Sequence, residues 1–115
     1  MTTISNKTAI AGYGATEFSK NSGRSELRLA VEATLGALAD AGIDPSEVDG
    51  MSSFTMDNNS EQEIFRAIGG KDLKFFTRIP QGGGGTLGPV QQAAMAIITG
   101  IANVVVVYRA MNERS

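Results

Sequence analysis

Pro89-Val90-Gln91-Gln92-Ala93-Ala94-Met95-Ala96-Ile97-Ile98-Thr99-Gly100, followed by Ile101-Ala102-Asn103-Val104-Val105-Val106-Val107-Tyr108-Arg109, reads as a helix feeding a strand. Val90, Ala93, Ala94, Ala96, Ile97 and Ile98 cover most of the circumference of a helix over 89–99. A helix apolar all round is normally buried on all sides. The four valines form a continuous β-branched run over 103–109, the pattern of a strand covered on both faces of a parallel sheet. A buried helix delivering such a strand is the repeating unit of an α/β protein.

Upstream, the same alternation repeats. Leu73 to Ile79 reads as a strand whose adjacent phenylalanines, Phe75 and Phe76, face opposite sides of the sheet. Before it, Ser60-Glu61-Gln62-Glu63 forms a capping box that opens a helix carrying Ile64, Phe65 and Ile68, stopped by Gly69-Gly70. Another strand covers roughly Gly50 to Thr55, broken by Asp57-Asn58-Asn59. Asp44-Pro45-Ser46-Glu47 supplies an N-cap, a proline at the first position and a glutamate at the third, enough for one helical turn. A long helix runs from Ser25 to Ala41, with Leu27, Val31, Leu35 and Leu38 as its apolar stripe and Gly42 as a left-handed cap. The first strand is Thr8 to Tyr13, loosened at its end by Gly12 and Gly14. The order β-α-β-α-β-α-β has crossovers long enough for right-handed parallel connections. The fold class is therefore α/β with a mostly parallel sheet. The apolar helix and the valine strand have too little of this chain to cover them, so a larger protein or a large partner surface is expected. The alternative is a small complete α/β domain.

Composition narrows the function. The chain has 115 residues, 42% hydrophobic and 19% charged, with a formal net charge of −2. No basic cluster supports a nucleic-acid role. No apolar run approaches the roughly 20 residues of a membrane span, and the N-terminus has no signal-peptide core, so a cytoplasmic setting is expected. The chain contains no cysteine and no histidine. Thiol nucleophiles, imidazole bases and thiolate or imidazole metal sites are thereby excluded from it.

Gly82-Gly83-Gly84-Gly85 is the one unusual feature. Gly83-Gly84-Gly85-Thr86-Leu87-Gly88 matches G-x-G-x-x-G between a strand and a helix, where backbone amides can hold phosphate. A dinucleotide fingerprint, however, opens the first βαβ unit and is followed about 20 residues on by an acidic residue; here Tyr108-Arg109-Ala110 stands in its place. Gly12-x-Gly14 follows the first strand but has Glu17 where the third glycine belongs. The segment also has the form of a nucleophile elbow lacking its nucleophile, since no cysteine occurs from Gln81 to Val90 and Thr86 is the only hydroxyl there. Close approach of a ligand and simple tight packing explain four glycines equally well.

Ala9-Ile10-Ala11-Gly12-Tyr13-Gly14-Ala15-Thr16-Glu17-Phe18 resembles the opening of thiolase-like enzymes of the sterol-carrier-protein-x type. Leu29 to Ala33, Ala39 to Gly50, Val90 to Ile97 and Gly100 to Val107 resemble that family's first helix, second strand, nucleophile helix and following strand. Phe18 to Ala30 and Tyr108 to Ser115 are similar to one branch, the lipid-transfer-protein-type aldolases of bacterial steroid side-chain degradation. The resemblance spans the chain. It implies that residues 1–115 are the N-terminal segment of a thiolase-like domain, a βαβαβαβ unit within a layered α/β/α/β/α fold. It implies retro-aldol cleavage of a β-hydroxyacyl-CoA to a ketosteroid and propionyl-CoA, with no cofactor besides the CoA thioester itself.

Thiolases carry their reactive cysteine at the position matching Gly82 to Leu87; its absence here departs from thiolase chemistry and fits the aldolase branch. By the same resemblance, Gly82, Gly83, Gly84, Gly85 and Thr86 would floor the acyl-CoA cleft, and tyrosines outside this segment would be catalytic. The strand Leu73–Ile79 would pair across a homodimer axis, an ordinary interior strand being the alternative, and a small OB-fold-containing protein would be the partner. Tyr13 and Tyr108 read as packing residues of strands. A silent thiolase-like or lipid-transfer scaffold that binds acyl-CoA or a partner protein, and a nucleotide-binding module, are the competing readings. The isolated 115-residue chain is expected to be inactive and to self-associate. Sedimentation velocity tests this, and a stable dispersed monomer is the contrary result.

Overall fold

A computed structural model describes residues 7–17, 22–54, 60–80 and 87–110. Helix α1 (Glu26–Ala41) leads through a single 3-10 turn (Pro45–Glu47) to strand β1 (Gly50–Phe54). Helix α2 (Glu61–Ala67), strand β2 (Phe75–Ile79), helix α3 (Leu87–Ile98) and strand β3 (Val105–Val107) follow. The three strands form one sheet in the order β2-β1-β3, and both pairings are parallel. The α/β class and the parallel sheet match the sequence reading.

The local signals behave as their chemistry requires. Ser25 caps α1 by accepting the Arg28 N–H at 3.1 Å. At the other end Gly42 takes φ 71°, and its N–H and that of Ile43 return to the Ala39 and Leu38 carbonyls. Asp44 and Glu47 form a complete capping box around the 3-10 turn. The Ser46 hydroxyl and backbone N–H both donate to the Asp44 carboxylate, which holds its pKa below the ordinary value. Ser60 accepts the Glu63 N–H at 3.1 Å and opens α2.

The main core lies between α1, α2 and one face of the sheet, where Leu29, Leu38, Met51, Ile64, Phe65 and Val106 are buried together. On the other face α3 packs through Pro89, Ala93 and Ala96. β1 is covered on both sides, with Met51 on the first face and Ser52 on the second, each fully buried.

Asp49 sets the register of this sheet. Its N–H and that of Gly50 donate to the Val104 carbonyl at 3.0 and 3.1 Å, and its own carbonyl accepts from Lys74 and Phe75 at 2.9 and 3.2 Å. Its buried carboxylate accepts the Asn103 N–H at 2.9 and 3.0 Å and the Val104 N–H at 2.9 Å. One residue thus joins the starts of all three strands.

Two expectations change. Thr8–Tyr13 is not a strand: residues 8–17 have no regular structure, and Ile10 is 85% exposed. The segment lies along α1 instead. Tyr13 N–H donates to Asp40 at 2.9 Å. A Cβ on Gly14 would overlap the Ala33 carbonyl and the Ala37 nitrogen, and one on Gly12 would stand 2.8 Å from the Ala41 Cβ. Without a neighbouring strand among the described residues, an extended segment has no ladder to join.

The apolar face of α1 also shifts in part: Leu27, Val31 and Leu38 of the expected stripe do pack against the core. Leu29, Ala30, Thr34 and Leu38 are buried while Leu35 is exposed, because the small-residue side of the helix receives the glycine-bearing segment. The expected want of cover is seen: α3 meets the sheet with one face, and β3 pairs with a strand on one side only among the described residues. Leu87, Val90 and Met95 are exposed, and Val107 is 40% exposed on an edge strand. This is the apolar surface for which the sequence calls for further cover.

Asp49→Asn replaces one acceptor oxygen by a donor that faces the Asn103 N–H. The substitution is expected to lower the unfolding free energy by about 1.5–3 kcal/mol. Equilibrium urea denaturation of the full-length protein measures it, and an unchanged midpoint would contradict the role given to Asp49.

Candidate functional site

Parallel strands end together, and in open α/β sheets ligands bind outside their carboxyl ends. Here that edge is defined by Phe54, Ile79 and Val107. Two connections meet it. The chain leaves β2 through Ile79–Pro80 and returns at Leu87–Gly88, where a Cβ on Gly88 would lie 3.4 Å from the Ile79 side chain. The chain also leaves β3 through Tyr108-Arg109-Ala110.

Two buried serines of β1 hold these connections. Ser52 Oγ donates to the Pro89 carbonyl at 2.8 Å and fixes the first turn of α3 against the sheet. Ser53 Oγ donates to the Tyr108 carbonyl at 3.1 Å. Neighbouring residues of one strand point to opposite faces, so Ser52 serves the α3 side and Ser53 the α1/α2 side.

On the α1/α2 side stands a polar cluster. The register places Ser53 beside Arg78 on β2. Arg78 Nε–H donates to the Glu61 carboxylate at 3.1 Å. Its Nη2–H reaches the Tyr108 hydroxyl at 3.4 Å. Glu61 is 6% exposed and Tyr108 is 8% exposed. Tyr108 is thus a packing residue, as its strand pattern predicts, whose hydroxyl also accepts a charged donor. The sequence reading assigned no role to Glu61 and Arg78. Their signal was an arginine inside the apolar strand Phe75–Ile79 and a glutamate next to a helix cap. Tyr13 is exposed, its N–H is bonded to Asp40 of α1, and it lines one cavity together with Tyr108.

The expected substrate-binding residues Gly82, Gly83, Gly84, Gly85 and Thr86 lie outside the described residues. Their described flanks, Pro80 and Leu87, both stand at the carboxyl edge of the sheet. A separate cavity of about 200 Å³ lies between the Gly12–Gly14 segment, α1 and the outer edge of β3. Thr34 lines it, and its buried hydroxyl has no hydrogen-bond partner among the described residues. Among the described residues no group of three or more acidic, histidine or cysteine side chains could hold a metal, and no helix is long and apolar enough to cross a membrane.

No family model matches the chain. Individual proteins do. Over all 115 residues it is 62% identical to a steroid side-chain-cleaving aldolase of Thermomonospora curvata, covering 29% of that protein. Over 112 residues, 97% of the chain, it is 61% identical to a 17-hydroxy-3-oxo-4-pregnene-20-carboxyl-CoA lyase of Mycobacterium tuberculosis, again covering 29% of that protein. The chain therefore spans under a third of the length of the curated relatives it matches. Among solved structures, the Ltp2-ChsH2(DUF35) aldolase superposes with TM-score 0.91 at 65% identity, over 93% of this chain and 28% of that one. A monomeric SCP2-thiolase-like protein type 1 of Mycobacterium smegmatis superposes with TM-score 0.70 at 25% identity, over 85% of this chain and 22% of that one. The resemblance read from the sequence, to thiolase-like proteins and among them to steroid side-chain aldolases, holds along the whole chain.

Ser52→Ala would remove the side-chain hydrogen bond that ties the Pro89 carbonyl at the start of α3 to the sheet. The expected loss is about 0.5–1.5 kcal/mol of unfolding free energy. Chemical denaturation of the full-length protein checks it, and wild-type stability would mean that α3 is held otherwise.

Proposed function

We propose that this chain is the N-terminal segment of a thiolase-fold lyase that cleaves a steroid side-chain β-hydroxyacyl-CoA to a ketosteroid and propionyl-CoA. The observation that carries this reading is the identity of 62% across the entire chain to a steroid side-chain-cleaving aldolase. The sequence agrees with it, since no cysteine stands between Gln81 and Val90 where thiolase chemistry needs one.

In the proposed reaction a base removes the β-hydroxyl proton. The Cα–Cβ bond then breaks, the β-carbon becomes the ketone, and the electron pair passes to the thioester as an enolate. Protonation of that enolate gives propionyl-CoA. Two needs follow: a base, and donors for the enolate oxygen. The backbone amides of Gly83 to Gly85 are our candidates for donors, with Gly82 and Thr86 completing the floor of the acyl-CoA cleft. We place the base outside these 115 residues, as the resemblance to the aldolases implies; the chain has no histidine, and Tyr108 is buried.

The uncovered side of α3, the open edge of β3 and the adjoining cavity are, in this reading, the faces on which the remainder of the layered domain packs. We place the homodimer contact at residues 73–79, where β2 is an edge strand and Phe76 is 54% exposed. One solved relative is named as monomeric, so light scattering of the full-length protein is the direct check on this contact. We assign a small OB-fold-containing partner, a choice supported by the two-protein name of the Ltp2-ChsH2 aldolase. The setting proposed is the cytoplasm.

The full-length protein, assembled with that partner and given a steroid β-hydroxyacyl-CoA, is expected to release propionyl-CoA and ketosteroid in equal amounts. Liquid chromatography with mass detection measures both. A well-folded complex that leaves the thioester intact would return the protein to the scaffold reading.

A further inference from the structure

Glu61, Arg78 and Tyr108 raise a question of energetics. A buried ion pair contributes little net stability compared with apolar side chains of the same volume, because both charges lose water. Glu61 is nevertheless buried beside Ile64 and Phe65 in the short helix α2, with its carboxylate on Arg78 at 3.1 Å. Arg78 also reaches Tyr108 at 3.4 Å. The guanidinium is a rigid planar fork, so it holds two partners at a set separation in a way a lysine ammonium does not.

The partners belong to different elements. Glu61 opens α2, Arg78 is the penultimate residue of β2, and Tyr108 is the first residue after β3. Arg78 therefore sits at the root of the connection that carries the glycine run, and Tyr108 at the root of the one leaving β3. Ser53 fixes the Tyr108 backbone from the strand between them, at 3.1 Å.

We propose that Glu61, Arg78 and Tyr108 are positioning residues for the acyl-CoA site, holding the exits of β2 and β3 at the separation the reacting thioester requires. The inference rests on the lyase reading above. None of the three touches the reacting atoms; they act through the two connections they anchor. Small displacements of a reacting group lower turnover steeply, while binding contacts spread over the whole CoA moiety change little.

Arg78→Lys keeps the charge and removes the fork. In the full-length protein with its partner, it is expected to lower kcat by about 10- to 100-fold while KM stays within about 3-fold. Tyr108→Phe keeps the buried ring and removes the hydroxyl that Arg78 reaches, and is expected to lower kcat by about 3- to 10-fold with melting temperature unchanged. The double variant Glu61→Gln with Arg78→Gln removes both charges of the pair, the buried carboxylate and the half-buried guanidinium. Recovery of melting temperature without recovery of kcat supports positioning, whereas recovery of both overturns it. Wild-type kcat in Arg78→Lys and Tyr108→Phe also overturns it, and if Arg78→Lys does not fold, Tyr108→Phe alone decides. Should the wild-type complex leave the thioester uncleaved, the lyase reading fails. The inference, which rests on that reading, falls with it, whereas cleavage by the wild-type complex with wild-type kcat in the variants overturns the inference alone.

Discussion

The hydrogen bonds of Asp49 are the constraint from which the rest of the sheet follows. A central strand in a parallel sheet must be registered on both sides at once, and a slip of one residue would exchange its buried faces. Asp49 prevents the slip with main chain and side chain together: its carbonyl receives Lys74 and Phe75, its N–H reaches Val104, and its carboxylate takes the amides of Asn103 and Val104. These groups would be costly to bury unpaired, so each also enforces the others. With the strand starts joined there, Ser52 and Ser53 at the far end meet the carbonyls of Pro89 and Tyr108.

That arrangement separates two roles along one short strand. The amino end of β1 is closed by backbone amides around a single carboxylate, and the carboxyl end is where the chain turns out of the sheet twice. The second end carries the polar side chains Glu61 and Arg78 together with the Tyr108 hydroxyl, all on the α1/α2 face. Parallel strands need no symmetry between their ends, because every connection crosses from the carboxyl side to the amino side. The carboxyl edge is thus the place where loops can vary in composition, and it is where the four consecutive glycines fall in sequence.

α1 shows how a single helix can serve two neighbours. Leu29 and Leu38 reach the core under the sheet, while Ala33, Ala37 and Ala41 meet the backbone of Gly12 and Gly14. The small residues have no long side chains, so the extended segment lies almost on the helix surface. The stripe of Leu27, Val31, Leu35 and Leu38 was the more hydrophobic choice, yet Leu35 remains exposed. Periodicity identifies a helix, but hydrophobicity ranks its faces poorly when one face is chosen for closeness of approach rather than apolar area.

Several features were decided by sequence alone, because their causes are local. Ser25, Gly42, Asp44 with Glu47, and Ser60 act within a few residues of themselves, so helix starts and stops could be read directly. The alternation of helices with β-branched or aromatic strands gave the parallel α/β class, and the absence of cysteine and histidine could be read directly. Other features depend on what lies beside a segment. Among the described residues, Thr8–Tyr13 has strand composition but no ladder partner, and the valines of β3 pair on one side only. The meeting of Glu61, Arg78 and Tyr108 spans 47 residues of chain and arises only when α2, β2 and the exit of β3 are brought together. Pairing and burial are properties of neighbours, and neighbours distant in sequence are supplied by the tertiary fold.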